Sequence, residues 1–172
     1  VSEFLNRFLA NQATVRLQSS FVEAREPVLV FTVEDGSRAY PLQILLWHQV
    51  VNDVIGGNPL AITYCPFSNA SAVFDRRVLG ASLRFGVSGN LWRSNLLLWD
   101  TVTESWWQQS TGKAVVGDLT DVRLSARPSL LVSYADFKQW FPNGKVLSIA
   151  TGVSGPYGIT GYPGYDRQDS PS

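Results

Sequence analysis

Two side chains in the sequence are built for covalent or metal chemistry, the single cysteine Cys65 and the single histidine His48. A cysteine attacks as its thiolate, and an imidazole within hydrogen-bond reach favours that form. An acid that orients the imidazole completes such a site, and Asp53 or Asp75 fills that role on residue type. Cys65, His48 and Asp53 are therefore the candidate catalytic set. The same sulfur and ring nitrogen also suit copper or zinc. In that reading His48, Cys65 and Asp75 are the ligands, and Asp53, Asp100 or a second chain completes the shell. A thiol nucleophile and a transition-metal centre both stand open at this point.

A second kind of site is a binding face. The chain has six Trp and six Tyr, and Trp92, Trp99, Trp106, Trp107 and Trp140 fall in its second half. Such rings stack on sugar rings or other uncharged small molecules, or they make core. Trp106 and Trp107 are adjacent, so in a strand they face opposite sides. Ser68 and Asn69, just after Cys65, are candidate substrate contacts, with Ser88, Asp100, Trp107 and Gln109 from later in the chain. Phe85-Gly86-Val87-Ser88-Gly89 is neither a dinucleotide fingerprint nor a nucleophile elbow, and a tight turn or a bulge explains its glycines. Asp100 and Glu104 flank a turn, where solvated acids are ordinary. Cys65-Pro66-Phe67-Ser68 is similar to the one-cysteine site of glutaredoxins. That site opens a long helix, whereas residues 68–74 here lead into a strand.

The elements that must position these groups follow from pattern. Phe4, Leu5, Phe8 and Leu9 predict a helical segment within residues 1–20. Pro27–Val33 and Arg38–Leu42 flank Asp35-Gly36 and predict a hairpin. Leu42–Val50 predicts a buried helix, Gly56-Gly57-Asn58 a turn, and Leu60–Tyr64 a short buried strand ending at Cys65-Pro66. Strands are expected at 72–75, 82–85, 96–100, 105–108 and 145–149. Ser133 caps a helix over 133–141, which Pro142 and Gly144 stop. The Gly-, Pro- and Tyr-rich tail, 152–172, is expected to lie extended. The sum is an α+β fold, a β-rich single domain over residues 1–172 with mostly antiparallel strands and two or three short helices.

Composition narrows the function classes. The 172 residues suit one domain, and 45% hydrophobic residues supply a core. Fourteen basic residues balance fourteen acidic ones, so no overall positive field draws the chain to nucleic acid. No apolar run reaches the ~18 residues of a membrane span. One cysteine excludes an internal disulfide. The sequence holds no Met and starts without a basic or apolar leader, so a segment upstream of Val1 is expected.

From Arg38 to Tyr165 the chain resembles a bacterial and archaeal family known as domain of unknown function 3179. The resemblance rests on Arg38-Ala39-Tyr40-Pro41-Leu42, Trp47-His48, Asn52-Asp53, Thr63-Tyr64-Cys65-Pro66, Phe74-Asp75 and Phe85-Gly86-Val87-Ser88-Gly89. It continues through Asp100, Thr103, Ser105, Trp107, Gln109, Thr111-Gly112, Ala114 and Gly117. It implies a self-contained, often exported domain, hence a periplasmic or secreted place, with Trp-His and Cys-Pro among its signature elements. Members usually carry Trp-His-Glu and Cys-Pro-Leu-Cys. Here Gln49 replaces the Glu, and Phe67-Ser68 replaces Leu-Cys, which removes the second sulfur of any dithiol site.

Overall fold

Strand-forming runs begin near Pro27, and turn residues at set places fold them back on one another. In the computed structural model the described residues are 14–16, 20–34, 36–150 and 155–159. β1 (Thr14–Arg16) is followed by β2 (Pro27–Val33) and β3 (Gly36–Pro41), which pair antiparallel from Val28↔Pro41 to Val33↔Gly36. This is the hairpin expected around Asp35-Gly36. α1 (Leu42–His48) starts directly after Pro41. It is shorter than the predicted 42–50, because Gln49 takes the left-handed conformation (φ 58°) and ends it. Val50 then opens β4 (Val50–Ile55), a strand that the apolar helix before it disguises in the sequence. Gly56 and Gly57 (φ 54° and 74°) turn β4 into β5 (Asn58–Cys65).

β6 (Ala70–Asp75) follows, then the small hairpin of β7 (Arg77–Val78) and β8 (Ala81–Ser82). Next come β9 (Phe85–Trp92), β10 (Asn95–Asp100), β11 (Trp106–Gln108), β12 (Lys113–Val116), β13 (Ala126–Arg127) and β14 (Leu130–Ser133). The β9–β10 register slips between Leu96 and Leu98, opposite Gly89 (φ 79°). Of the two readings of the Phe85–Gly89 run, turn or bulge, the structure has the bulge. α2 (Tyr134–Trp140) begins after Ser133, whose hydroxyl accepts the Asp136 N–H at 3.1 Å, as the sequence predicts. β15 (Lys145–Leu147) is the last described strand.

Among the described residues the strands form four sheets: β1-β15-β3-β2-β14, β13-β6-β5-β4, β12-β11-β10-β9 and β7-β8. Neighbours are antiparallel except β15 and β3, which run parallel. β5 is buried from Leu60 to Cys65 because both of its faces are covered. Leu60, Ile62 and Tyr64 enter one core with α1 and with Leu29 and Phe31 of β2. Ala61 and Cys65 enter a second core with Leu98, Trp107 and Ala114. Val28 and Val30, on the other face of β2, meet Tyr134 and Phe137 of α2 in a third. The layers therefore run α2, five-stranded sheet, β4–β6 sheet, β9–β12 sheet, a β-rich α+β domain. Among the described residues no helix is long and apolar enough to cross a membrane.

The helical segment predicted within residues 1–20 lies mostly outside the described residues, and its described part, Thr14–Arg16, is strand. Of the tail, residues 155–159 are described, and they form a turn against α1.

Candidate functional site

The strand alternation just described assigns Cys65 a place. It ends β5 on the side of Ala61, fully buried, in the core against β10–β12. Its sulfur lies 4.0 Å from the carbonyl oxygen of Ser94, a contact in which the thiol donates. His48 is the last residue of α1, also buried, and its Nε2 meets the Tyr157 hydroxyl at 2.6 Å. Burial lowers the His48 pKa from its ordinary value, so the neutral imidazole is favoured there. Trp47 donates its indole N–H to the Ile159 carbonyl at 3.2 Å, so neighbouring side chains of α1 hold the same turn.

Asp53 points to neither Cys65 nor His48. Its carboxylate accepts from Arg38 and, at 2.7 Å, from the Tyr40 hydroxyl. Burial first, and then the Asp53 charge, push the Tyr40 pKa well above its ordinary value. Asp75 is held by Arg77 at 2.6 Å and Arg127 at 2.8 Å. The hydrogen bond from Arg77, more than that from Arg127, keeps this carboxyl far below the usual carboxylate range. Each member of the expected catalytic and metal sets thus has its own, different polar neighbours. Among the described residues no three His, Cys, Asp or Glu side chains come together as a ligand set for copper or zinc.

Other predicted residues do meet. Gln109 is fully buried between the second and third sheets, donating to the Thr63 hydroxyl and the Ala70 carbonyl, each at 3.1 Å. Its amide oxygen accepts from Asn95 at 2.8 Å, and the same Asn95 amide donates to Ser68 at 3.0 Å. The Asn69 side chain accepts the Tyr64 hydroxyl at 2.9 Å nearby. This network joins β5, β6, β10 and the end of β11, and its buried polar groups satisfy one another. Ser88 donates to the Leu97 carbonyl at 2.7 Å across the bulge.

Asp100, read from sequence as a solvated turn acid or a substrate contact, is fully buried. One carboxylate oxygen accepts the N–H groups of Val102 and Thr103, and the other accepts the Thr103 hydroxyl and the Trp107 indole N–H. It clamps the β10–β11 turn and anchors a core tryptophan.

The tryptophans separate by strand parity. Val87, Leu98, Trp107 and Ala114 form one cross-strand row facing the core. The next row, Gly86, Trp99, Trp106 and Val116, faces the other way. Trp99 and Trp106 stand opposite each other on adjacent strands, both partly exposed, with no side chain from Gly86 beside Trp99. The row carries no charge. Two residues beyond Trp106 on the same face is Gln108, whose oxygen accepts from Thr111 at 2.9 Å and whose amide N–H groups have no partner among the described residues. The sequence names Gln109 as a substrate contact; the parity that buries Trp107 buries Gln109 as well and turns Gln108 outward. Trp92 and Trp140 are exposed elsewhere, Trp140 on α2 at the opposite end of the layers.

No curated protein and no solved structure matches the chain. The signature blocks Arg38–Leu42, Asn52-Asp53, Cys65-Pro66 and Asp100–Trp107 all lie in the contacts described above, and residues 10–172 match the model of the family described as Protein of unknown function (DUF3179). The chain belongs to that family.

Proposed function

We propose that the domain is a non-catalytic binding module that takes a neutral, ring-bearing ligand such as a glycan on the outer face of the β9–β12 sheet. The observation that carries this reading is the uncharged row Gly86–Trp99–Trp106–Val116, with two partly exposed indoles opposite each other. Two partly exposed indoles opposite each other on adjacent strands present apolar area to the C–H face of a sugar ring. The amide of Gln108 offers donors to a ring hydroxyl. The thiol and transition-metal readings rank behind it, because Cys65 is buried in an apolar core and its thiol donates to a carbonyl. A periplasmic or secreted place would bring such a face to extracellular glycans.

The test is tryptophan fluorescence and calorimetric titration with cellohexaose, chitohexaose, xylohexaose and laminarihexaose. Binding of at least one is expected, with Trp99→Ala and Trp106→Ala each weakening it about 30-fold. Trp140→Ala and Cys65→Ala should leave affinity unchanged. No binding across the panel, or binding that survives both platform substitutions, refutes the reading.

A further inference from the structure

Arginines crowd one region of the β4–β6 sheet beyond the acids available to them. Arg76, just after β6, is buried, and its guanidinium donates to three carbonyls: Leu60 at 3.0 Å, Leu83 at 2.6 Å and Asp53 at 3.2 Å. Carbonyls satisfy its N–H groups but leave its charge in place. Arg84 stands within electrostatic reach; after burial, its charge is the largest influence lowering the Arg76 pKa. The Arg84 Nε is shut off from solvent with no hydrogen-bond partner, and its guanidinium forms no ion pair among the described residues. A buried donor without a partner calls for strain, a functional role, or a water, ion or ligand to meet it.

The two carboxylates that act on Arg76 are Asp53 and Asp75, and both are engaged. Asp53 is held by Arg38 and Tyr40, and Asp75 by Arg77 and Arg127. Five arginines therefore share two carboxylates here, a local excess of positive charge in a chain whose 14 basic and 14 acidic residues balance overall. Two guanidinium charges, those of Arg76 and Arg84, have no acid of their own.

We propose that Arg76 and Arg84 form a binding site for the phosphate group of a small molecule, with the Arg84 fork as its principal contact. A guanidinium matches two oxygens of one anion side by side. A phosphate monoester carries about two negative charges near neutral pH, equal to the two unmatched guanidinium charges, whereas a carboxylate leaves one over. Arg84 lies on the connection between β8 and β9, between the buried Leu83 and Phe85, and is itself half-buried, so the ligand reaches the exposed part of its side chain. The site uses neither Trp99 nor Trp106 as a contact, so its test stands apart from that of the glycan reading.

The experiment is calorimetric titration of the full chain with inorganic phosphate and with glycerol 3-phosphate at constant ionic strength, with acetate as the carboxylate control. Saturable binding of both phosphates, tighter than acetate, is expected. Arg84→Gln should weaken it about tenfold or more, Arg84→Lys should weaken it less, and the exposed Arg123→Gln should not change it. Circular dichroism confirms that each variant is folded. Absence of saturable phosphate binding by the wild-type chain overturns the proposal. So does equal binding by folded Arg84→Gln, or acetate binding as tight as phosphate.

Discussion

Replacing Asp100 by alanine tests whether its carboxylate belongs to the fold or to a ligand. Asp100 accepts from Val102 N at 3.0 Å, Thr103 N at 2.6 Å, the Thr103 hydroxyl at 2.7 Å and Trp107 Nε1 at 2.9 Å. The turn donors recover water after the substitution, since Val102 is 60% exposed. Trp107 is 0% exposed, so its indole N–H finds no replacement. A hydrogen bond to a charged acceptor contributes about 1.5–3 kcal/mol, and an orphaned buried donor costs about 1–3 kcal/mol. These overlap rather than add, so Asp100→Ala should destabilise by about 2–3 kcal/mol. With an m-value near ~2 kcal/mol per M, the urea midpoint falls by roughly 1–1.5 M. Trp107→Phe removes the indole donor, so Asp100→Ala should cost about 1–2 kcal/mol less in that background. Urea unfolding followed by circular dichroism on the four proteins of the cycle measures both quantities. An Asp100→Ala midpoint within error of wild type, with no coupling to Trp107, would refute the clamp and return the carboxylate to the ligand-contacting residues.

His48 makes stability pH-dependent in a known direction. Its folded pKa lies below the ordinary 6.5, so the unfolded chain binds the proton first as pH falls. The His48 contribution is therefore present above pH 6.5 and is lost as pH drops through 6.5 toward the folded value. Urea midpoints measured from pH 8 to pH 5 should fall, and His48→Gln should flatten that slope; an unchanged slope contradicts the burial argument. Cys65, fully buried, should react with iodoacetamide far more slowly in the native chain than in urea, read by mass spectrometry. Equal rates would place the thiol at the surface. Gly117 has φ +98°, and a Cβ there would lie 2.7 Å from the Cα of Ser105. Gly117→Ala should lower the thermal midpoint by several degrees, on the order of a 1–3 kcal/mol strain, and a neutral result would show that the turn yields.

What the sequence disclosed depended on whether the deciding contact was local. Leu60–Tyr64 read as a buried strand because an apolar run with both faces covered looks the same in sequence and structure. Ser133 read as a cap because its partner, Asp136, is three residues away. The split between Trp106 and Trp107 followed from strand parity alone. β4 was hidden because Leu42–Val50 is apolar throughout, and the break lies in the backbone of Gln49 rather than in its side-chain type. The β9–β10 turn uses Arg93 and Ser94 at positive φ, where glycine or asparagine would have announced it. Thiol–imidazole chemistry links Cys65 and His48 on residue type, whereas parity along β5 puts Cys65 with Ala61, and His48 meets a tail residue 109 positions away. Arg76 and Arg84 flank the β7–β8 hairpin, and Asp100 and Trp107 meet across the β10–β11 turn; residue type alone announces neither pair.

The parallel pairing of β15 with β3 has a consequence for biosynthesis. β15 fills the place between β1 and β3, and β14 covers the far edge of β2, so the β2–β3 hairpin has both edges closed by strands from beyond residue 129. At about 5–20 residues per second, the ribosome needs roughly 5–20 s to make the chain between β3 and β15. The sheets of β4–β6 and β9–β12 are joined mostly by hairpins and form meanwhile. During that interval the first hairpin carries two bare edges, each a template for pairing with another nascent chain. Closure of the earliest sheet by the latest strands means that any truncation before residue 130 leaves both edges of residues 27–41 bare, a template for pairing with another chain.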